Sequence, residues 1–258
     1  MRRISQAVAS FSRSIRIFLR DKAVIGSSML SPLFFLIVLP LMLFRDAPAE
    51  VMPLIHSYLV IGMCTFLIMI TAMSNLPGSI AADRDHDLYS KLSSMPVNPL
   101  FECVGRIITV LAFSALGTLI ITAIGLALGA QFILSTVDIL LIIAIGSLVT
   151  LSASGIGLII ASLVKSESAA AHVGIAFVMV NYFIGIAFPY GDLPVVLRPL
   201  ARFNPLPLGN SMMTTVALGE DFVGFNPLNL LDGAFFVGIT AVLFLLGMYL
   251  YSRYCWRR

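Results

Sequence analysis

The side chains able to do chemistry are few and scattered. The three cysteines, Cys64, Cys103 and Cys255, form no close-spaced pair, and the three histidines, His56, His86 and His172, belong to no HExxH or CxxC pattern. Neither a disulfide framework nor a metal site is predicted. ATP hydrolysis within the chain would need a phosphate-cradling loop ending Gly-Lys-Ser/Thr. The lysines Lys22, Lys91 and Lys165 follow Asp21, Ser90 and Val164, which rules that motif out. Ser152 or Ser154 with His172 is a nucleophile–base pairing that the sequence allows, but no GxSxG elbow accompanies it. The run Ser152-Ala153-Ser154-Gly155-Ile156-Gly157, like the pair Gly125 and Gly129, is better explained by close helix packing in lipid, which needs small residues.

The elements that must position these groups are membrane helices. Of 258 residues 59% are apolar and only 11% charged, with a mean hydropathy of +1.00, where a soluble domain carries about a quarter charged residues. One all-α bundle over residues 1–258 is predicted. Six runs have roughly the 20 apolar residues that a span needs: Val24 to Phe44, Ser57 to Ala82, Ile107 to Leu128, Ile139 to Val164, Ala169 to Phe188 and Gly233 to Tyr251. The second and fourth run long, which predicts tilt or a turn of helix beyond the lipid, with Pro77 and Gly78 marking a candidate end. None of the six contains Asp, Glu, Lys or Arg, and only His172 could carry a proton near neutral pH. Proton-driven transport places titratable groups at membrane depth, so no relay is predicted, and any uphill transport must draw its energy from a partner chain.

Basic residues assign the sides. Arg2, Arg3, Arg13, Arg16, Arg20, Lys22, Arg84, Lys91, Arg106, Lys165, Arg253, Arg257 and Arg258 fall on one side of these spans and only Arg45, Arg198 and Arg202 on the other. The positive-inside rule makes both termini cytoplasmic. The net charge of +3 is too dispersed to be a nucleic-acid footprint. Ala47-Pro48-Ala49 resembles a signal-peptide cleavage site, but the preceding 21-residue apolar run exceeds a secretory h-region of about 7–15 residues, so a retained span is expected. Before it, Ile4, Val8, Phe11, Ile15, Phe18 and Leu19 recur at helical spacing, with Arg2, Arg3, Gln6, Arg13, Arg16 and Arg20 mostly on the other face. Residues 1–23 therefore read as an amphipathic interfacial helix.

Two loops carry a pattern. The second, Asp83-Arg84-Asp85-His86-Asp87-Leu88-Tyr89-Ser90-Lys91-Leu92-Ser93-Ser94-Met95-Pro96, reads as a short amphipathic helix with Leu88 and Leu92 on one edge, ended by Pro96. It resembles the cytoplasmic loop of type-2 ABC transporter permeases, Glu-Arg-Glu-x-Gly-Thr-Leu-Glu-x-Leu-x-x-x-Pro. Arg84, Leu92 and Pro96 match, Asp83 and Asp85 are conservative replacements, and Asp87, Leu88 and Ser90 depart from the Gly, Thr and Glu of the family. Between the fifth and sixth spans, Leu193-Pro194, Leu197-Arg198, Asn204-Pro205-Leu206 and Gly219 are similar to the "LP…L+…NPL…G" pattern of the same family, with Ser211 and Thr214 where many members have Asp and Arg. Prolines break residues 189–232 into pieces, and Leu208 to Leu218 is too short to span; re-entrant or interfacial helices are expected, an external hairpin containing Pro194, Asn204, Pro205 and Gly219.

The resemblance implies the permease subunit of an ABC exporter, in the cell (plasma or inner) membrane of a prokaryote. It implies two permease chains, as homodimer or heterodimer, with an ABC ATP-binding subunit that holds the ATP and Mg; this chain would bind no cofactor and would not be an enzyme. The expected ATPase-coupling surface is the loop 83–106, through Asp83, Arg84, Asp85, Leu88, Tyr89, Leu92 and Pro96, together with Arg13, Arg16 and Arg20 of the N-terminal helix. Ser152, Ser154, Asn181 and Tyr182 are the candidate lining of a pathway for an amphiphilic cargo such as a drug, an antibiotic or a lipid-linked compound, with polysaccharide as the other cargo class. An intramembrane serine hydrolase or protease and an unpowered channel are the alternatives of other classes.

Overall fold

The computed structural model describes residues 2–43 and 48–256. The expected span end at Phe44, the charges Arg45, Arg257 and Arg258, and Ala47 of the cleavage-like tripeptide lie outside the described residues, as do the side chains of Arg2 and Arg3. The chain is helical in the order α1 (Arg2–Arg20), α2 (Lys22–Ile25), α3 (Ser31–Leu43), α4 (Met52–Ile70), α5 (Leu76–Asp85), α6 (Leu88–Ser93), α7 (Pro99–Ala127), α8 (Thr136–Leu163), α9 (Glu167–Gly185), α10 (Arg198–Phe203), α11 (Pro205–Leu218), α12 (Glu220–Val223) and α13 (Leu230–Leu250). Among the described residues, five helical runs are long and apolar enough to cross a bilayer: Met52–Asp85, Pro99–Ala127, Thr136–Leu163, Glu167–Gly185 and Leu230–Cys255. The first expected span is present as the shorter apolar run Gly26–Met42.

The run Met52–Asp85 is the central post. Phe66, Leu67, Met69, Ile70 and Met73 are buried within it, and Thr71 donates back to the carbonyl of Leu67 at 2.9 Å. A π-helical turn, Thr71–Asn75, separates α4 from α5, and a second, Gly26–Leu30, separates α2 from α3. Each is followed two residues on by a proline, Pro77 and Pro32. Proline lacks the N–H and clashes with the carbonyl four residues back, here Met73 and Ser28, and widening the preceding turn relieves the clash. The sequence reading placed Pro77 and Gly78 at a helix end; instead the helix widens and continues to Asp85. The Asn75 amide donates to the Ser28 hydroxyl at 2.5 Å, so the two widened turns face each other.

Glycines set the closest crossings. A Cβ at Gly155 would lie 2.6 Å from the Leu243 carbonyl carbon and one at Gly247 2.5 Å from the Gly155 carbonyl oxygen, so α8 and α13 cross backbone to backbone. Gly157 and Gly174 lie against the carbonyls of Ala72 and Met73 in the π turn. The predicted packing pair Gly125 and Gly129 divides its work. Gly125 faces Val60, whereas Gly129 has open space and φ +102°. It ends α7 in a Schellman turn, with Ala130 N donating to Gly125 O at 2.9 Å and Gly129 N to Leu126 O at 3.1 Å.

Candidate functional site

Charges gather where α1, α5, α7 and the last helix meet at one end of the bundle. α7 starts at Pro99, eight residues before the apolar run begins, and so carries Glu102 and Arg106 on one face. Arg106 is 3% exposed; its Nε donates to Glu102 at 2.6 Å and its Nη2 to Asp83 at 2.5 Å. Asp83, at the end of α5, also receives Arg13 from α1, and the Tyr251 hydroxyl donates to Glu102. Two guanidinium and two carboxylate groups cancel, which makes this burial tolerable. Further ties bind α1 to the same place: Gln6 donates to Pro96 O at 2.9 Å and accepts from Asn98 N at 3.2 Å, and Ser10 donates to Glu102 O at 2.8 Å. Gly105 makes the crossing possible, since a Cβ there would sit 2.5 Å from the Ala7 carbonyl. A cavity of about 550 Å3 opens beside this ionic brace, with Arg13, Asp83, Arg106, Asn75 and Glu167 in its wall.

The loop predicted to couple is divided between inside and outside. Asp83, Arg84 and Asp85 belong to α5 and residues 99–106 to α7, leaving only α6 and its flanking turns between the long helices. Arg84 turns inward and donates to Ala161 O at 2.7 Å and Val164 O at 3.1 Å, closing carbonyls that the end of α8 leaves open. Tyr89 is buried against Tyr251 and Trp256, with ring centroids 6.1 and 5.5 Å away. That burial pushes its phenol above the ordinary value despite the opposing Arg106 charge, so Tyr89 stays neutral. Leu88 and Leu92 are half-buried, while Asp85, Pro96, Arg16 and Arg20 are exposed.

At the opposite end the chain turns back into the bundle. Pro194 is exposed and opens a turn closed by Leu197 N to Pro194 O at 2.8 Å. Arg198 donates to the carbonyls of Leu193 and Gly191 at 3.0 and 2.8 Å. Asn204 caps α11 by accepting from Leu206 N at 3.1 Å, with Pro205 in the first helical position. α11 is buried from Pro205 to Thr215 and reaches the middle of α4, where Thr65 donates to Asn210 at 2.8 Å. It ends at Gly219, φ +95°. Arg202 forms a two-pronged pair with Asp232 at 3.2 and 3.1 Å, which ties the return segment to the start of α13 and raises the Arg202 guanidinium above its usual value.

A comparison with protein-family models matches residues 5–218 to the ABC-2 type transporter domain. The chain belongs to the ABC-2 type transporter family. With its five long apolar helices it is a multi-pass membrane protein and a membrane transport subunit. The match runs from α1 to the end of α11 and stops before Gly219 and α13. A comparison with curated proteins returned no match.

Within this ABC-2 chain the proposed pathway residues do not converge. Asn181 accepts from Asn204 at 2.7 Å and donates to Phe177 O at 2.7 Å, holding the return segment against α9. Tyr182 packs among Phe35, Phe66 and Phe183. Ser152 and Ser154 are fully buried in α8 with no hydrogen-bond partner. None of the four lines the cavity beside the brace or the groove between α7 and α8. The Ser/His pairing does not form: the Ser152 and Ser154 hydroxyls are buried without a partner, while His172 is exposed on α9 with its Nδ1 2.6 Å from the Ser168 carbonyl oxygen. Glu102 was not singled out in the sequence, and Gln6 and Tyr251 were read only as part of a polar helix face and as a span end, not as parts of the site. Glu102 stands four residues before Arg106, a helical ion-pair spacing, and that was the available signal.

Proposed function

We propose that this chain is the permease subunit of an ABC exporter, working as two permease chains with ATP-binding subunits that hydrolyse ATP, with Mg, on the cytoplasmic side of a prokaryotic cell membrane. The observation that carries the reading is the ionic brace. It fastens α1 and the loop after α5 to α7 and the last helix, so force applied to that end reaches several long helices at once. α6 with Asp85, Lys91, Pro96, Arg16 and Arg20 forms the outward docking face, while Asp83, Arg84, Tyr89 and Arg13 transmit. In α1, Ile4, Val8 and Leu19 remain exposed beside the α7 contact, which suits a helix lying in the membrane interface. Gly26–Met42 serves as the sixth span, and the termini are cytoplasmic. The cargo is an amphiphilic small molecule, a drug or a lipid-linked compound.

The test is a mild-detergent pull-down of the tagged chain from its native membranes, with mass spectrometry and an ATPase assay on the eluate. A stoichiometric ATP-binding subunit is expected. In the double variant Asp85→Arg, Lys91→Glu it should be lost while the permease stays in the membrane. A pure permease without an ATPase overturns the reading, and unchanged copurification of the double variant overturns the docking face.

A further inference from the structure

α7 and α8 diverge from the turn 128–135 that joins them, and a groove of about 320 Å3 lies between them, floored by α4 and α11 and closed at the turn by Phe132 and Leu134. That volume falls at the lower end of the range of small-ligand pockets, about 300–1,000 Å3. The α7 wall runs from Leu111 to Thr122, about 16 Å of helix, so the space is elongated. No Asp, Glu, Lys, Arg or His lines it. Its lips carry Leu119 and Ile143, 68% and 59% exposed, and it therefore opens sideways, among side chains that face lipid.

The polar atoms of the walls are already engaged, with one exception. Thr118 donates to Ala115 O at 2.9 Å, Ser147 to Ile143 O at 2.7 Å and Thr150 to Gly146 O at 2.8 Å, and the Cys64 thiol lies 3.8 Å from both Thr118 O and the Thr122 hydroxyl. Ser114 is 2% exposed, lines the groove and has no hydrogen-bond partner. A serine inside a helix can bond back to the preceding turn, as its neighbours do. Leaving its hydroxyl unpaired in an apolar wall costs free energy that a partner within the groove would recover.

We propose that this groove binds an elongated, uncharged, lipid-soluble ligand that enters from the bilayer, and that Ser114 supplies the hydrogen bond to one hydroxyl or carbonyl oxygen on it. The uncharged lining excludes both anionic and cationic groups, which would lie there unpaired. Depth argues against a phospholipid ester as the partner of Ser114. Ser114 lies eight residues, about 12 Å of helix, beyond Arg106 of the brace, deeper than a glycerol ester sits. The site requires only that the chain lies in the membrane, and it holds whether or not the occupant is carried across.

The probe is hexadecanol bearing a mid-chain diazirine, photolysed with the full-length protein in phosphatidylcholine vesicles and mapped by mass spectrometry. Labelling is expected to concentrate on residues 111–122 and 139–150. Unlabelled hexadecanol should displace it about tenfold better than hexadecane, the ratio one hydrogen bond supports. Ser114→Ala, which removes an unpaired group and should fold normally, is expected to abolish that preference while hydrocarbon competition remains. Gly146→Phe should block the groove, since a Cβ at Gly146 finds only Met213 Sδ at 3.7 Å. Labelling spread over all lipid-facing helices, equal competition by alcohol and alkane, or an unaltered preference in Ser114→Ala overturns the proposal.

Discussion

Asp87 has φ 54°, alone among the non-glycine residues described, and it sits at the bend that swings α5 into α6. Aspartate tolerates the left-handed region better than most residues, but glycine does so without strain. The ABC-2 loop pattern has glycine at this place, and the backbone explains why. Asp87→Gly is expected to stabilise the protein by about 0.5–1 kcal/mol and Asp87→Val to destabilise it by about 1–2 kcal/mol, read as melting temperatures in detergent. A higher melting temperature for the valine variant would refute this account. Residue by residue, the sequence made Arg84 and Asp83 conspicuous but not their direction, because a charge near an apolar run looks alike whether it meets solvent or a carbonyl. That Arg84 closes the end of α8 depends on a contact across 77 positions of chain, which no local pattern encodes.

Elements were legible where periodicity and length decide them. The five long helices fall on the expected apolar runs, and two of them continue toward the brace in residues that hydropathy alone omits: Asp83–Asp85 after the second run and Pro99–Arg106 before the third. Those extensions hold the site. α1 was expected as a two-faced helix, yet a third side with Ala7 and Ser10 packs on α7 around Gly105. The π turns were invisible, since Pro32 and Pro77 signal a disturbance but not its form. The brace belongs at this scale, because it connects four helices rather than completing one. Arg106→Leu leaves Asp83 and Glu102 buried without their shared partner, and a loss of about 3–5 kcal/mol is expected. Arg13→Ala should cost only about 1 kcal/mol or less, because Arg13 is partly solvated at 39% exposure. Thermal unfolding in detergent separates the two, and equal effects would show that Arg106 is not the hub.

For the whole molecule the distribution of charge remains the strongest sequence signal, and the structure collects Arg13, Asp83, Arg84, Glu102 and Arg106 at one end and Arg198, Arg202 and Asp232 at the other. Sidedness is tested with cysteines at two exposed sites, Met95→Cys and Val195→Cys, 55% and 75% exposed in the native residues. A membrane-impermeant maleimide should reach the Val195 variant in intact cells and the Met95 variant only after permeabilisation; the reverse pattern would invert the topology. The π turns at Gly26–Leu30 and Thr71–Asn75 set how such a molecule can bend. Each takes a carbonyl out of the regular ladder, and the Ser28–Asn75 bond places both at one depth. A flexible joint in a lone helix would let that helix flex independently. Two joints fastened to each other share one hinge line, so the α3 side of the bundle and the upper half of its central post can tilt only together.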